Sequence, residues 1–295
     1  MVEIEVVSKQ TEILGEGPTW EKRTGRVYWV DIKGKLFRFY NISTGEIETR
    51  NASGMISSIV PSRSGKVYAT IDHKFVAIDP ETGFERVLTE TETDIKNNRF
   101  NDGKVDPYGN YWAGTMDMNE NEPVASLYVF TSDGKLRKVM DGQTISNGLA
   151  WDVNRKVFYH IDTPTRKVMA YNYDEDCNLT DGRVAVDFMD EMGFPDGMNM
   201  DVEGNIWVAH WGGHRISRWN PETGKKLDEI IFPATNITSC VFGGKNSDEL
   251  YVTSAKLTQN QPHDPKGLGG SLFRVRVEIK GVETYHFDDS KINIP

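Results

Sequence analysis

Six oxygen-bearing residues recur at one offset along the chain: Glu16, Ser57, Asn101, Asn147, Asp196 and either Thr238 or Ser239. Each stands 11 to 13 residues ahead of an aromatic, respectively Trp29, Tyr68, Trp112, Tyr159, Trp207 and Tyr251. Two are carboxylates, the rest are amides or hydroxyls, and neither Cys nor a His pair joins them. Brought round one axis, they make a ring of hard oxygen donors suited to a divalent cation of the Ca²⁺, Mg²⁺ or Mn²⁺ kind. A structural zinc site would want thiolate and imidazole instead. Polar residues at strand entries also cap loops and face water, and that reading is preferred for Ser57 and Thr238. Glu16, Asn147 and Asp196, each followed by Gly, take the ligand reading only together with the family resemblance given below.

The elements that would position this ring are legible as a repeat. GEGPTWEKRTGRVYWVDI, SSIVPSRSGKVYATID, NDGKVDPYGNYWAGTM, NGLAWDVNRKVFYHID, DGMNMDVEGNIWVAHW and SCVFGGKNSDELYVTSA share one pattern. A short apolar strand is followed by a turn rich in Asp, Gly, Ser or Asn, then by a strand that opens on an aromatic. The intervals between the six aromatics are 39, 44, 47, 48 and 44 residues, the length of a four-stranded propeller blade. A second hairpin follows most copies, as in KLFRFYNISTGEIETR and RISRWNPETGKKLDEI, with turn chemistry between strand-forming runs. Long amphipathic helix periodicity is missing. The expectation is an all-β, six-bladed β-propeller of four-stranded antiparallel blades, with residues 1–295 as a single domain. A β-sandwich would not repeat a motif at blade length six times. The WD dipeptide is absent from blade ends, and no double glycine recurs once per blade as in Kelch propellers. Because the first strand of a blade lines the central channel, the residue just before it should point into the channel mouth.

Composition narrows the partners. The 295 residues carry 34 Lys and Arg against 44 Asp and Glu, a formal net charge of −10. That balance argues against nucleic acid or an anionic membrane surface. No run reaches the roughly 18–20 apolar residues of a membrane helix. The N-terminal MVEIEVVSKQTEILGEG has no apolar h-region of a signal peptide. Two cysteines, Cys177 and Cys240, make neither a metal motif nor a disulfide framework. A cytoplasmic protein acting on a small molecule, as a monomer or weak homo-oligomer, is expected.

At the ring residues the chain resembles the family of regucalcin (senescence marker protein), gluconolactonase and luciferin-regenerating enzyme. The motifs that carry the resemblance are LGEGPTW, KNNRFNDGKVDPYGNYWAGTM, ISNGLAWDVNRKVFYHIDT, FPDGMNMDVEGNIWVAHW and CVFGGKNSDELYVTSA, which span nearly the whole chain. The resemblance implies a six-bladed propeller with one catalytic divalent metal at the channel mouth. It implies Glu16, Asn147 and Asp196 as metal ligands, and Arg99 and Asn101 as substrate-orienting residues. Ca²⁺ is the first expectation for the metal, with Zn²⁺, Mg²⁺, Mn²⁺ or Fe²⁺ as alternatives. One departure stands out. Animal regucalcins carry paired acids after AGTM, the second of which helps hold substrate, whereas this chain reads GTMDMNEN and has Asn119 at that place. Asn119 therefore joins the substrate residues as an amide, and the animal substrate is not carried over. AHWGGHRISRW and the His160 of FYHIDT are similar to bacterial sugar lactonases, so an aldonolactone of gluconate or xylonate type is expected.

The implied reaction is lactone hydrolysis. The cation acts as a Lewis acid on the lactone carbonyl, water attacks, and Asp196 serves as general base. Arg99 and Asn101 hold ring oxygens or hydroxyls. An acyl-enzyme route is disfavoured because G-x-S-x-G is absent and neither cysteine sits at a channel position. His160, His210 and His214 read as packed strand or rim residues, and Trp211 as a residue of the channel mouth. The rival functions are a non-catalytic calcium-binding regulatory protein, a metal-dependent organophosphate hydrolase and a protein-interaction propeller.

Overall fold

Each repeat folds as an antiparallel hairpin whose first strand is the innermost of a four-stranded sheet. The computed structural model describes residues 3–9, 11–258, 264 and 266–292. The inner strands are Gly15–Glu21, Ile56–Pro61, Asn98–Val105, Ser146–Asp152, Phe194–Met200 and Asn236–Gly243. Each lies beside the next, and the first lies beside the last, so the six sheets close around one axis as a six-bladed β-propeller. The one helical element among the described residues is a 3-10 turn, Thr163–Thr165. None is long and apolar enough to cross a membrane.

The aromatics that mark the repeat are the wedges between blades. Trp29, Tyr68, Trp112, Tyr159, Trp207 and Tyr251 are all buried. The apolar core is divided into clusters, one at each interface between adjacent blades. The Asp-rich turns of the repeat are explained by what their carboxylates hold. Asp106 Oδ1 accepts the N–H groups of Tyr108 and Asn110, while its Oδ2 accepts the indole N–H of Trp112 at 2.9 Å. Asp201 does the same for Glu203, Asn205 and Trp207. One side chain thus shapes the turn and satisfies the polar atom of the wedge, which would be costly to bury unpaired.

Two closures lie outside the repeat pattern. The outermost strand of the sixth blade is Ile4–Ser8, which pairs antiparallel with Leu272–Arg276. The chain's first strand therefore completes its last blade, and backbone hydrogen bonds join the two ends of the ring. Beyond Arg276 the tail crosses the channel at the end away from the ring residues. Gly281 bridges to Asp201 on the fifth blade, and Phe287 bridges to Ser62 on the second. Thr284 and Tyr285 line one small pocket with Lys104 and Val105 of the third. Phe287 is fully buried, 4.6 Å from the ring of Tyr68, and Asp289 accepts from Ser62, Ser64 and Tyr68. Phe287→Ala should cost about 3–5 kcal/mol, the usual range for emptying a buried phenylalanine site. Urea unfolding measures it, and a loss under 1 kcal/mol would show that the tail is not an integral strap.

Candidate active site

The ring residues stand inside the inner strands, not just before them as the repeat suggested, and a bulge explains how they still face the axis. In all six inner strands the register against the next strand slips here. The slips fall between Glu16 and Thr19, Ile56 and Ser58, Phe100 and Gly103, Asn147 and Leu149, Pro195 and Met198, and Ile237 and Ser239. A bulge sets two residues against one and re-aims a side chain that strict alternation would send elsewhere. The glycine after the ring residue serves close approach. A Cβ on Gly148 would lie 2.8 Å from the backbone oxygen of Asp196, and one on Gly197 would lie 2.1 Å from Ser239 Oγ. Any side chain there would push adjacent inner strands apart.

At this end of the channel is a cavity of about 570 Å³, and Glu16, Arg99, Asn101, Asn147 and Asp196 all line it. Ser57 and Thr238 do not. The Ser57 hydroxyl donates to Phe100 O at 2.6 Å and that of Thr238 to Gly15 O at 2.6 Å. Both are buried staples between neighbouring inner strands, and neither is a water-facing cap.

A hydrogen-bonded chain orients the amides. Arg99 Nη1 donates to Phe100 O at 2.8 Å and to Asn101 Oδ1 at 3.0 Å. Asn101 Nδ2 donates to Asn147 Oδ1 at 2.9 Å, and Asn147 Nδ2 donates to Thr163 Oγ1 at 2.8 Å. The Thr163 hydroxyl donates in turn to Pro195 O at 2.8 Å, next to Asp196. Both hydrogens and oxygens are thereby assigned, and Asn147 Oδ1 keeps a lone pair beyond the one Asn101 uses. Thr163, at the end of FYHIDT, was not recognised from sequence as a site residue. Its only signal was an oxygen-bearing side chain just past a second strand.

The electrostatics favour a cation. Glu16 and Asp196 are both buried. Burial first, and then the charge of Asp102, push Glu16 up to about 8, while burial and then the charges of Glu16 and Asp102 hold Asp196 well above the usual carboxylate range. Arg99 is pulled down to about 10 by burial, although Glu16 and Glu120 oppose the shift. Below the ring, Lys104 Nζ donates to Met198 O at 2.5 Å, bracing the third inner strand to the fifth. Among the described residues no group of three or more His, Cys, Asp or Glu side chains is gathered as a metal cluster. The donor set is two carboxylates and an oriented amide oxygen. Hard cations take such oxygen ligands, and the single charge of Arg99 offsets only part of that of two buried carboxylates, so these residues fit a divalent cation of that kind.

Asn119 is the exception among the expected site residues. It is exposed and outside the cavity wall, which Glu120 lines instead. Asp117 is responsible. Its carboxylate accepts the backbone N–H groups of Asn119, Asn121 and Glu122 and the amide of Asn97. The tight loop so formed holds Glu120 in a left-handed conformation, φ +58°, uncommon for a residue with a side chain. The pocket therefore keeps a carboxylate near Arg99, supplied one residue later than the alignment of motifs suggested. Glu120→Gln should raise KM for a hydroxylated lactone about 10-fold or more, the loss of one hydrogen bond to a charged group. Asn119→Ala should leave KM within twofold. The reverse pattern in steady-state kinetics would restore Asn119.

The histidines are packed, as the sequence suggested. His160 is buried against Phe158 and shares a 2.9 Å hydrogen bond with Ser146 Oγ, while His210 bonds Met192 O and Ser217 Oγ. Neither these nor His214 lines the cavity, whereas Trp211 does. Burial lowers His160 to about 3, so its contribution to stability is complete above pH ~6.5 and drains away as pH falls towards 3. Relative to His160→Gln, the native protein should lose about 1.4 kcal/mol per pH unit across that window. Urea midpoints of both proteins between pH 7 and 4 test this, and a constant difference would contradict it.

Known proteins share this architecture. The SMP-30/Gluconolactonase/LRE-like region matches residues 14–256. Regucalcin of Oryctolagus cuniculus is 37% identical over 299 residues, covering 97% of this chain and 98% of its own. A luciferin-regenerating enzyme superposes with a TM-score of 0.91 at 31% identity, over 97% of this chain and 99% of its own. A calcium-binding protein, regucalcin, from Agrobacterium tumefaciens gives 0.90 at 26% identity, over 97% of both chains.

Proposed function

We propose that this chain, which belongs to the SMP-30/Gluconolactonase/LRE-like family, opens sugar-acid lactones of gluconolactone or xylonolactone type by hydrolysis with one divalent cation bound. The observation that carries this reading is the convergence of two buried carboxylates, an oriented amide oxygen and an arginine on one cavity. Glu16, Asn147 and Asp196 would hold the cation. When bound, it supplies Lewis acidity towards the lactone carbonyl, Ca²⁺ being the first expectation and Zn²⁺, Mg²⁺, Mn²⁺ or Fe²⁺ the alternatives.

The remaining work falls to side chains of the chain itself. Asp196 takes a proton from the attacking water and returns it to the ring oxygen as the carbon–oxygen bond opens. Asn101 stays engaged with Asn147 and Arg99, so its role is to hold the array rigid. Arg99 commits Nη1 to the protein and keeps its other N–H groups for lactone hydroxyls. Glu120, in place of Asn119, balances that charge. A net charge of −10 and two buried free thiols support an intracellular protein without nucleic-acid or membrane partners.

A calcium-binding role without turnover is the second reading, favoured by the name carried by the Agrobacterium tumefaciens structure. Acid release from a panel of sugar lactones, followed with a pH indicator in the presence of each cation, separates the two. Cation binding with no lactone turned over by any metal form would reject the hydrolase.

A further inference from the structure

A second tier of residues surrounds the cavity outside the oxygen ring, and its chemistry is different. Two positions ahead of five of the six ring residues stand Leu14, Met55, Arg99, Ile145 and Phe194, and all five line the cavity, whereas the sixth blade contributes no residue there. Four of the five are apolar. Arg99 is the sole charged member.

The tier is held in place. Asp31 accepts the N–H of Leu14 at 3.0 Å, Asp72 that of Met55 at 3.0 Å, and Asp162 that of Ile145 at 2.8 Å. The guanidinium of Arg166 lies 4.6 Å from the ring of Phe194, which fixes a side chain that is 43% exposed. Ile13 and Met118 extend the same wall outward and are 47% and 39% exposed. An aldonolactone carries a hydroxyl on nearly every carbon and offers little to such a wall. The cavity, at about 570 Å³, falls in the range of sites that enclose considerably larger ligands.

We infer that, beside sugar-acid lactones, the site also takes lactones bearing an apolar substituent of several carbons, with the lactone ring in the oxygen tier and the substituent along Met55, Ile145 and Phe194. The placement of the ring rests on the lactonase reading; the apolar tier does not. Methionine adapts its shape to varied apolar partners, so a straight alkyl chain suits this wall as well as a branched one.

The test is a chain-length series. Inert 5-alkyl-2-pyrrolidinones, with alkyl groups from methyl to hexyl, are titrated calorimetrically into the intact protein with Ca²⁺ present. Alongside, the matching γ-alkyl lactones and glucono-δ-lactone are assayed for hydrolysis. Each buried methylene is worth about fourfold in affinity, from about 0.8 kcal/mol per CH₂. Kd should therefore fall about fourfold per carbon over the first few carbons, and Phe194→Ala should flatten that slope. A flat or rising Kd series overturns the inference, whether or not lactones are hydrolysed. A falling series without hydrolysis of any lactone upholds the apolar tier and rejects the lactonase reading. If Phe194→Ala does not fold, Ile145→Ser tests the same slope, and an unchanged slope in a folded variant also overturns the inference.

Discussion

Asp196→Asn is expected to lower kcat by about 10²-fold or more at saturating cation, with the fold and the cavity unchanged. The substitution keeps an oxygen for the cation and the volume of the side chain. It removes the group that accepts a proton from water, a contribution typically worth 10²–10⁴. Asp196 is buried at a bulge with Gly197 pressed against Ser239, so no other carboxylate on its strand can take its place. Asn147 gives the contrast. Its oxygen has no basic role, so Asn147→Ala should weaken cation affinity and regain much of its rate when the cation is in excess. The measurement is kcat at several cation concentrations, with affinity from chelator competition. Near-native kcat for Asp196→Asn at saturation would remove Asp196 from the chemistry.

Removal of the cation is expected to have the larger effect, abolishing hydrolysis altogether, with recovery on adding back Ca²⁺ or a better-suited divalent ion. It should also lower the thermal midpoint. Burial and the repulsion of a neighbouring carboxylate, Asp102, act on both Glu16 and Asp196, and a bound ion at 100 times its Kd stabilises a fold by about 2.7 kcal/mol. Loss of activity with an unmoved midpoint would place the ion on the substrate instead of in the protein. Full activity in a preparation verified as metal-free by elemental analysis would end the proposed chemistry.

Asn119, which the structure places outside the cavity wall, shows where reading along the chain reaches its limit. GTMDMNEN offers two candidates, Asn119 and Glu120, and motif spacing selects the first. Only the turn built on Asp117, with its three backbone N–H donors, decides that the second faces the cavity. The apolar tier was present in the sequence at a fixed step from the ring, yet it carried no signal there, because apolar residues at strand entries are ordinary. Only the shared cavity makes Met55, Ile145 and Phe194 a surface.

The sequence by itself determined the number of blades, the repeat that marks the inner strands and six of the cavity-lining residues, Trp211 among them. These depend on interactions close along the chain: strand alternation and turns capped by Asp106 or Asp201. Tertiary structure alone decided the rest. The first strand closes the last blade by pairing Glu5 with Arg274, and the tail seals the far end through Phe287. Asn147 is oriented by Asn101, 46 residues away, and Thr163 bonds Pro195 across 32. Side chains so far apart in sequence meet only when all the blades have closed, so their angles and partners follow from the ring and not from any one repeat.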